Sequence, residues 1–248
     1  MKRPALMALL LMPSPHVLAA APNIHVGAMY EYTAPGQGAL LKRVRNSGDA
    51  TAFVRVQVSE VRYGDDGAPY EVEVDTANLE AGGNALVASP SRLIVPAQGQ
   101  QATRLLYHGD RRTERYYRVR FVPVLPKSAD EFALTSAESE DYARHLTAGI
   151  NVLTGYGVFV IVHPDPARYD VRTQSHGDRT VLHNAGNTTV ILDDVRQCDR
   201  TAAGDACSPV RKLHLLPGRT ESFARLPDQI HRFHVVEGEV RRTVLLDP

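Results

Sequence analysis

The run Ala148-Gly149-Ile150-Asn151-Val152-Leu153-Thr154-Gly155-Tyr156-Gly157-Val158-Phe159-Val160-Ile161-Val162-His163-Pro164 decides the fold. Val, Ile, Tyr and Phe dominate it, and these side chains suit a half-buried pleated surface. It reads as one long β-strand over residues 150–162 that ends at a proline corner. At its start Ile150 and Val152 point to one face, Asn151 and Leu153 to the other. The stretch before it, residues 127–147, is polar, acidic and weakly patterned, with a short helical turn over 138–146. A loop therefore feeds a strand whose first residues carry apolar side chains on an uncovered edge. Soluble proteins normally hide such an edge. One kept ready to pair with another chain is a binding device.

The bulk of the sequence narrows the setting. The chain has 248 residues, 43% of them hydrophobic, and a formal net charge of +0 from 28 basic and 28 acidic side chains. That length admits one large β-domain or two of common size. A nucleic-acid partner is not expected, because such binders carry a basic excess. With no Trp and 6% aromatic residues, a stacking platform for single strands is not expected either.

The first 20 residues have the layout of a secretory signal peptide. Lys2 and Arg3 form a basic start, residues 5–12 are apolar, and Ala19-Ala20-Ala21 offers a small-residue cleavage site, placed after Ala20. Pro4, Pro13 and Pro15 argue against a buried helix there. No later run reaches the roughly 20 apolar residues of a membrane span, so no membrane insertion is expected. Cys198 and Cys207 fit export. An oxidising compartment lets them pair across a short hairpin-like loop, and their spacing matches no metal pattern. Two free thiols are the alternative.

The rest is a series of short alternating runs. Candidate strands cover residues 24–32, 38–46, 52–61, 86–95, 101–109, 115–123 and 150–162, a β-sandwich signature. A second series covers 169–173, 179–184, 188–197, 211–215, 221–224, 232–237 and 239–246. Pro164-Asp165-Pro166 lies between them and cannot sit inside a central strand. The expected fold is all-β. Its domains are a signal segment over 1–20, a first sandwich over 21–163 and a second over 164–248, set at an angle with a cleft between them.

Two local segments carry a resemblance. Ser89-Pro90-Ser91-Arg92-Leu93-Ile94-Val95-Pro96-Ala97 precedes Gln101-Ala102-Thr103-Arg104-Leu105, and Tyr117-Arg118-Val119-Arg120-Phe121 precedes Pro123 and Pro126. With the order of elements, they resemble the periplasmic pilus (fimbrial) chaperones of the PapD-like, chaperone–usher family, closer to its alternate and archaic branches. The resemblance covers essentially all of the chain after the signal segment. It implies two immunoglobulin-like sandwiches, a periplasmic location and no enzymatic activity or cofactor. The implied partners are pilus subunits, which receive a donated strand, and an outer-membrane usher. A self-capping dimer of the free form is left open.

By that resemblance the donor strand is the run around Ile150 and Val152, flanked by Leu146 and Thr154. The family's well-studied branch anchors the terminal carboxylate of a pilus subunit with an Arg in the first strand and a Lys in the long strand. Here residues 23–32 contain neither Arg nor Lys, and the position of the Lys falls near Phe159. Arg104, Arg118 and Arg120 are the candidate substitutes, since a guanidinium suits a carboxylate. Arg118 and Arg120 share one strand face.

Plainer readings compete. Arg118 and Arg120 form an ordinary solvated face in many sandwiches, and Ile150 and Val152 look like core residues as well as donors. His231 and His234 are two histidines alone, a weak metal signal, and read as surface residues of a strand. Gly155 and Gly157 mark a bulge or a close backbone approach. No nucleophile elbow, His-Glu-x-x-His or phosphate loop is present. The rival functions are a structural pilus subunit or adhesin, and a secreted carbohydrate-binding sandwich. The first calls for one incomplete domain, the second for clustered acids or exposed aromatics.

Overall fold

The structure, a computed structural model, describes residues 21–74, 83–127, 132–147, 153–200 and 206–247. The signal segment, Ile150 and Val152 lie outside the described residues. In chain order the first half contains β1 (Ile24–His25), β2 (Tyr30–Thr33), β3 (Ala39–Asn46), β4 (Ala52–Tyr63), β5 (Pro69–Glu73), β6 (Ala85–Ser89), β7 (Arg92–Val95), β8 (Gln100–His108), β9 (Arg115–Pro123), α1 (Ser136–Thr147) and β10 (Tyr156–Val162). The second half contains β11 (Val171–His176), β12 (Arg179–Asn184), β13 (Val190–Asp199), β14 (Arg211–Leu215), β15 (Thr220–Ala224), β16 (Gln229–Glu237) and β17 (Val240–Leu246).

These strands make two immunoglobulin-like sandwiches. In the first, a sheet ordered β1-β3-β8-β6 faces one ordered β2-β10-β9-β4-β5, with β7 also on β4. Period-2 alternation sends Val44, Val54, Leu105, Tyr117, Val119, Phe121, Val158 and Val160 into one shared core. In the second, β11-β12-β15 faces β14-β13-β16-β17 around Leu182, Leu192, Phe223, Phe233 and Val235. Each large apolar side chain fully buried this way contributes roughly 1.5–3 kcal/mol. Cys198 and Cys207 are disulfide-bonded.

Besides β5, which the expected strands omit, three elements depart from the expectation. The run over 24–32 is not one strand: β1 pairs antiparallel with β3, the chain turns at Gly27 (φ 70°), and β2 pairs parallel with β10 in the other sheet. The run over 86–95 likewise breaks at the Ser89–Pro90 bond, so that β6 joins β8 and β7 joins β4. In both cases the apolar pattern continues across the switch, so pattern alone joins the pieces.

The third departure concerns the long strand. Residues 136–147 form a full helix rather than a single turn, and the strand starts at Tyr156, with Leu153, Thr154 and Gly155 outside it. A capping box starts the helix. The Glu138 N–H donates to the Thr135 hydroxyl oxygen (3.3 Å), and the Thr135 N–H donates back to the Glu138 carboxylate (2.8 Å).

Candidate functional site

The outer face of the β2-β10-β9-β4 layer looks toward the second sandwich. On β9 the alternation that buries Tyr117, Val119 and Phe121 turns Tyr116, Arg118 and Arg120 outward. Register then places Phe159 between Arg118 and Tyr30, and Ile161 between Tyr116 and Tyr32. The result is a row of rings. Phe159 lies 5.9 Å from Tyr30 and 6.1 Å from Tyr116, and Tyr116 lies 5.5 Å from Tyr63. From the other sandwich His214 stacks on Tyr30 at 4.0 Å and shares a 2.5 Å hydrogen bond with the Tyr32 hydroxyl. Burial then pushes the Tyr32 phenol up and the His214 imidazole down to about 4.

The two outward arginines of β9 differ. Arg120 is spent on Glu71: its two terminal nitrogens donate to the two carboxylate oxygens at 2.6 and 2.7 Å. Those bonds, with one from the Ser59 hydroxyl, hold the Glu71 carboxyl down at about 2. Arg118 reaches the same carboxylate only through Nε, at 3.9 Å, and its guanidinium lies over the Phe159 ring at 5.3 Å. A side chain at Gly157 would press on the Arg118 stem, with Cβ 3.2 Å from Cδ, so the glycine leaves the room in which that arginine lies. Gly155 similarly faces the Phe121 carbonyl at 3.2 Å. Gly155 thus meets backbone closely, as expected, whereas Gly157 meets a side chain.

Arg104 is not gathered with them. It stands exposed on β8, in the other sheet, opposite Leu41 and Ser89. Of the donor candidates, Thr154 is exposed just before β10, while Leu146 is buried at the end of α1. His231, expected on the surface, is buried beside Phe223 and shares a hydrogen bond with the Ala224 carbonyl at 2.9 Å.

The edge of β10 completes the site. β9 pairs with it along Tyr156–Val162, but β2 begins its pairing only at Phe159. Among the described residues, Tyr156, Gly157 and Val158 therefore have a strand on one side and none on the other. That stretch of β10 lies at the mouth of an aromatic, cationic cleft.

No family model matches the chain. Among curated proteins it is 27% identical over 186 residues to a CS1 fimbrial subunit of Escherichia coli, covering 74% of this chain and 73% of that one. It is 24% identical over 211 residues to the probable fimbrial chaperone EcpB of Escherichia coli, covering 84% of each. Among solved structures it resembles the class 5 fimbriae chaperone CfaA, with a TM-score of 0.56 and 20% identity over 91% of this chain and 100% of that one. It also resembles the Escherichia coli chaperone DraB, with a TM-score of 0.53 and 12% identity over 92% and 100%. The chain is similar in sequence and in fold to fimbrial chaperones. No helix of the described residues is long and apolar enough to cross a membrane. Arg104 lies in the other sheet, away from the face that carries Arg118 and Arg120.

Proposed function

We propose that the chain is a periplasmic chaperone that binds pilus subunits, completes them with a donated strand and passes them to an outer-membrane usher. One observation carries this reading: among the described residues, Tyr156–Val158 of β10 have a strand on one edge and none on the other. An extended partner segment added there gains ladder hydrogen bonds, and alternate side chains from the preceding residues enter its groove. Ile150 and Val152 are the central donors in this reading, with Thr154 as a flank. Leu146 serves only if the end of α1 lets go. The domains are taken as 21–163 and 164–248, the first supplying the strand and the second the far wall of the cleft. Similarity to fimbrial chaperones in both sequence and fold supports the same function.

The test is a double change of Ile150 and Val152 to Asp, with a pilus subunit of the same operon co-expressed. Capture should be abolished, because a charge in an apolar groove is buried without a partner. Secretion and folding should persist. A folded variant that still delivers subunits to the outer membrane refutes the reading. An unfolded one assigns these residues to the chain's own core.

For the terminal carboxylate of a pilus subunit the cation proposed from the first sandwich is Arg118, because Glu71 already occupies Arg120. Arg118→Ala should cost pilin affinity about 1.5–3 kcal/mol, the worth of a charge-assisted contact. Arg104→Ala should cost none.

A further inference from the structure

β3 presents an edge of its own, in the sheet that β10 does not enter. β1 pairs with β3 at Ile24↔Asn46 and His25↔Arg45, and the chain then turns away at Gly27 (φ 70°). The bonds on the other side of β3 decide which groups are left over. The Tyr107 N–H donates to the Gly38 carbonyl and the Asn46 N–H to the Gly99 carbonyl, both at 2.9 Å. Even-numbered residues of β3 therefore exchange hydrogen bonds with β8, and odd-numbered ones face the β1 side. Beyond Arg45 that side has no strand. Among the described residues, the backbone N–H and C=O of Leu41 and of Arg43 have no hydrogen-bond partner.

The gap is built rather than frayed. It is an open cavity of about 400 Å³, with Val26, Gly27 and Ala28 on one side and Leu41, Lys42 and Arg43 on the other. Lys42 points inward and is buried. Its ammonium donates to the Ala28 carbonyl (2.5 Å) and to the Glu31 carboxylate (2.6 Å), which ties down the segment that leaves the sheet.

The outer face beside this edge carries one sign of charge. Register places Arg45 next to His25 and Gln100, Arg43 next to Ala102, and Leu41 next to Arg104. The three arginines are exposed, and none has an ion-pair partner among the described residues. β1, β3, β8 and β6 contain no Asp or Glu. An extended segment laid along the gap would bond to Leu41 and Arg43, and its alternate side chains would stand beside theirs. A carboxylate beside Arg43 gives the guanidinium the partner it lacks, and cross-strand pairs of opposite charge favour that register.

We infer that the β3 edge is a docking site separate from β10, which takes an extended acidic segment of a partner protein by strand addition. It lies in the other sheet and does not depend on strand donation.

The experiment uses the full exported chain and three short synthetic peptides. One alternates Glu and Thr, one alternates Lys and Thr, and one is the Glu–Thr peptide N-methylated at its Glu residues, whose N–H groups would face β3. In amide-resolved NMR titrations the Glu–Thr peptide should shift the Leu41 and Arg43 amides. It should bind roughly tenfold more tightly than the Lys–Thr peptide. N-methylation should abolish binding, because the ladder bonds are lost. Arg43→Glu combined with Arg45→Glu should reverse the preference toward the Lys–Thr peptide at an unchanged melting temperature. If the N-methylated peptide binds as well as its parent, or phosphatidylglycerol vesicles shift the same amides as strongly, the face is a general anion surface and the inference falls. If no peptide shifts Leu41 and Arg43, the arginines guard the edge against pairing, and the inference falls as well.

Discussion

Glu114 on the first sandwich accepts two hydrogen bonds from Thr189 on the second, from the backbone N–H at 2.7 Å and from the hydroxyl at 2.5 Å. The Tyr116 hydroxyl donates a third, at 2.7 Å. The Glu114 side chain is 2% exposed, so these bonds are shielded from water. Burial pushes its carboxyl pKa up, and the bonds pull it part of the way back. Together with Tyr32 and His214 this contact fixes the angle at which the cleft stands open. Glu114→Ala strands the Thr189 N–H and the Tyr116 hydroxyl, and an unsatisfied buried donor costs about 1–3 kcal/mol. The urea midpoint should fall, and small-angle scattering should show a broader range of inter-domain angles. An unchanged midpoint and an unchanged scattering profile would remove this contact from the account.

Acid should loosen the same junction. His163, tilted against Tyr32, and His214, stacked on Tyr30, are both held down at about 4 by burial, with Arg111 and Lys212 adding to the respective shifts. A depressed folded pKa means that stability is complete above the free value of 6.5 and is lost as pH falls toward about 4. Glu71, held near 2, loses its contribution only below 4.5. Glu114 is raised, so its contribution is complete below 4.5 and declines as pH rises through its folded value. Between 6.5 and 4.5 the two histidines lower stability as pH falls while Glu114 acts against them, and with two groups against one the melting temperature should drop on acidification. His214→Phe should flatten that slope. A melting temperature that does not move across this window would sink the assignment.

The two sandwiches and most strands can be read from alternation and turn residues, because each strand buries one face and period 2 survives in the sequence. The sheet switches at Gly27 and at Ser89–Pro90 cannot, since both halves of each run stay apolar while their hydrogen-bond partners change. α1 is disguised by its polar composition, yet Thr135 and Glu138 spell its capping box. In the cleft, Arg118 and Arg120 are legible as a shared face. Their division of labour depends on Glu71, which arrives from β5, a strand the pattern does not reveal. Arg219, whose guanidinium lies over the Tyr63 ring, carries no local signal, because only the packing of one sandwich against the other brings it there.

A repeated device supports each sandwich. The Asn46 side-chain amide donates to the carbonyls of Ala50 (2.7 Å), Val95 and Pro96 (3.2 Å each), while its oxygen accepts from the N–H groups of Asn23 and Gly48 (3.0 Å each). Asn184 does the same to Thr188 and Leu215 (2.8 Å each) and accepts from Gly186 (3.0 Å). Both residues are fully buried. Ala at either position leaves several backbone groups unpaired and should cost more than about 2 kcal/mol. Asn46→Ala should weaken the first sandwich and Asn184→Ala the second, as hydrogen exchange resolved by segment would show. Equal loss in both halves from either change would contradict this independence.

The Cys198–Cys207 disulfide closes a short loop between β13 and β14. Chain-entropy reasoning assigns it about 2–3 kcal/mol. Replacing both cysteines with Ser should lower the unfolding free energy of the second sandwich by about that amount, read from its denaturant curve. Capture of pilus subunits should be nearly unaffected, since the bond lies away from the ring row. A variant that is stable but captures nothing would tie the hairpin to the cleft.

The last prediction concerns α1 and the donor segment that follows it. Phe53 is an outward residue of β4, covered because Phe132 and Tyr142 meet its ring edge-on at 5.3 and 4.9 Å. The Tyr142 hydroxyl donates to the Thr51 carbonyl at 2.5 Å, and Leu146 is 4% exposed at the end of the same helix. A helix of 12 residues is marginal without such packing. Phe53→Ala removes two ring contacts worth about 0.5–1.5 kcal/mol each beyond their area. Amide exchange should accelerate along α1 while β4 and β9 stay protected, and the sandwich should remain folded. Because Leu146 is buried at the end of α1, any use of it in strand donation requires the last turn of α1 to detach. Capture of a pilin should then change the exchange of the last α1 amides. If those amides exchange identically in the free and bound chaperone, the donor segment begins after α1, and Leu146 is a structural residue of the helix.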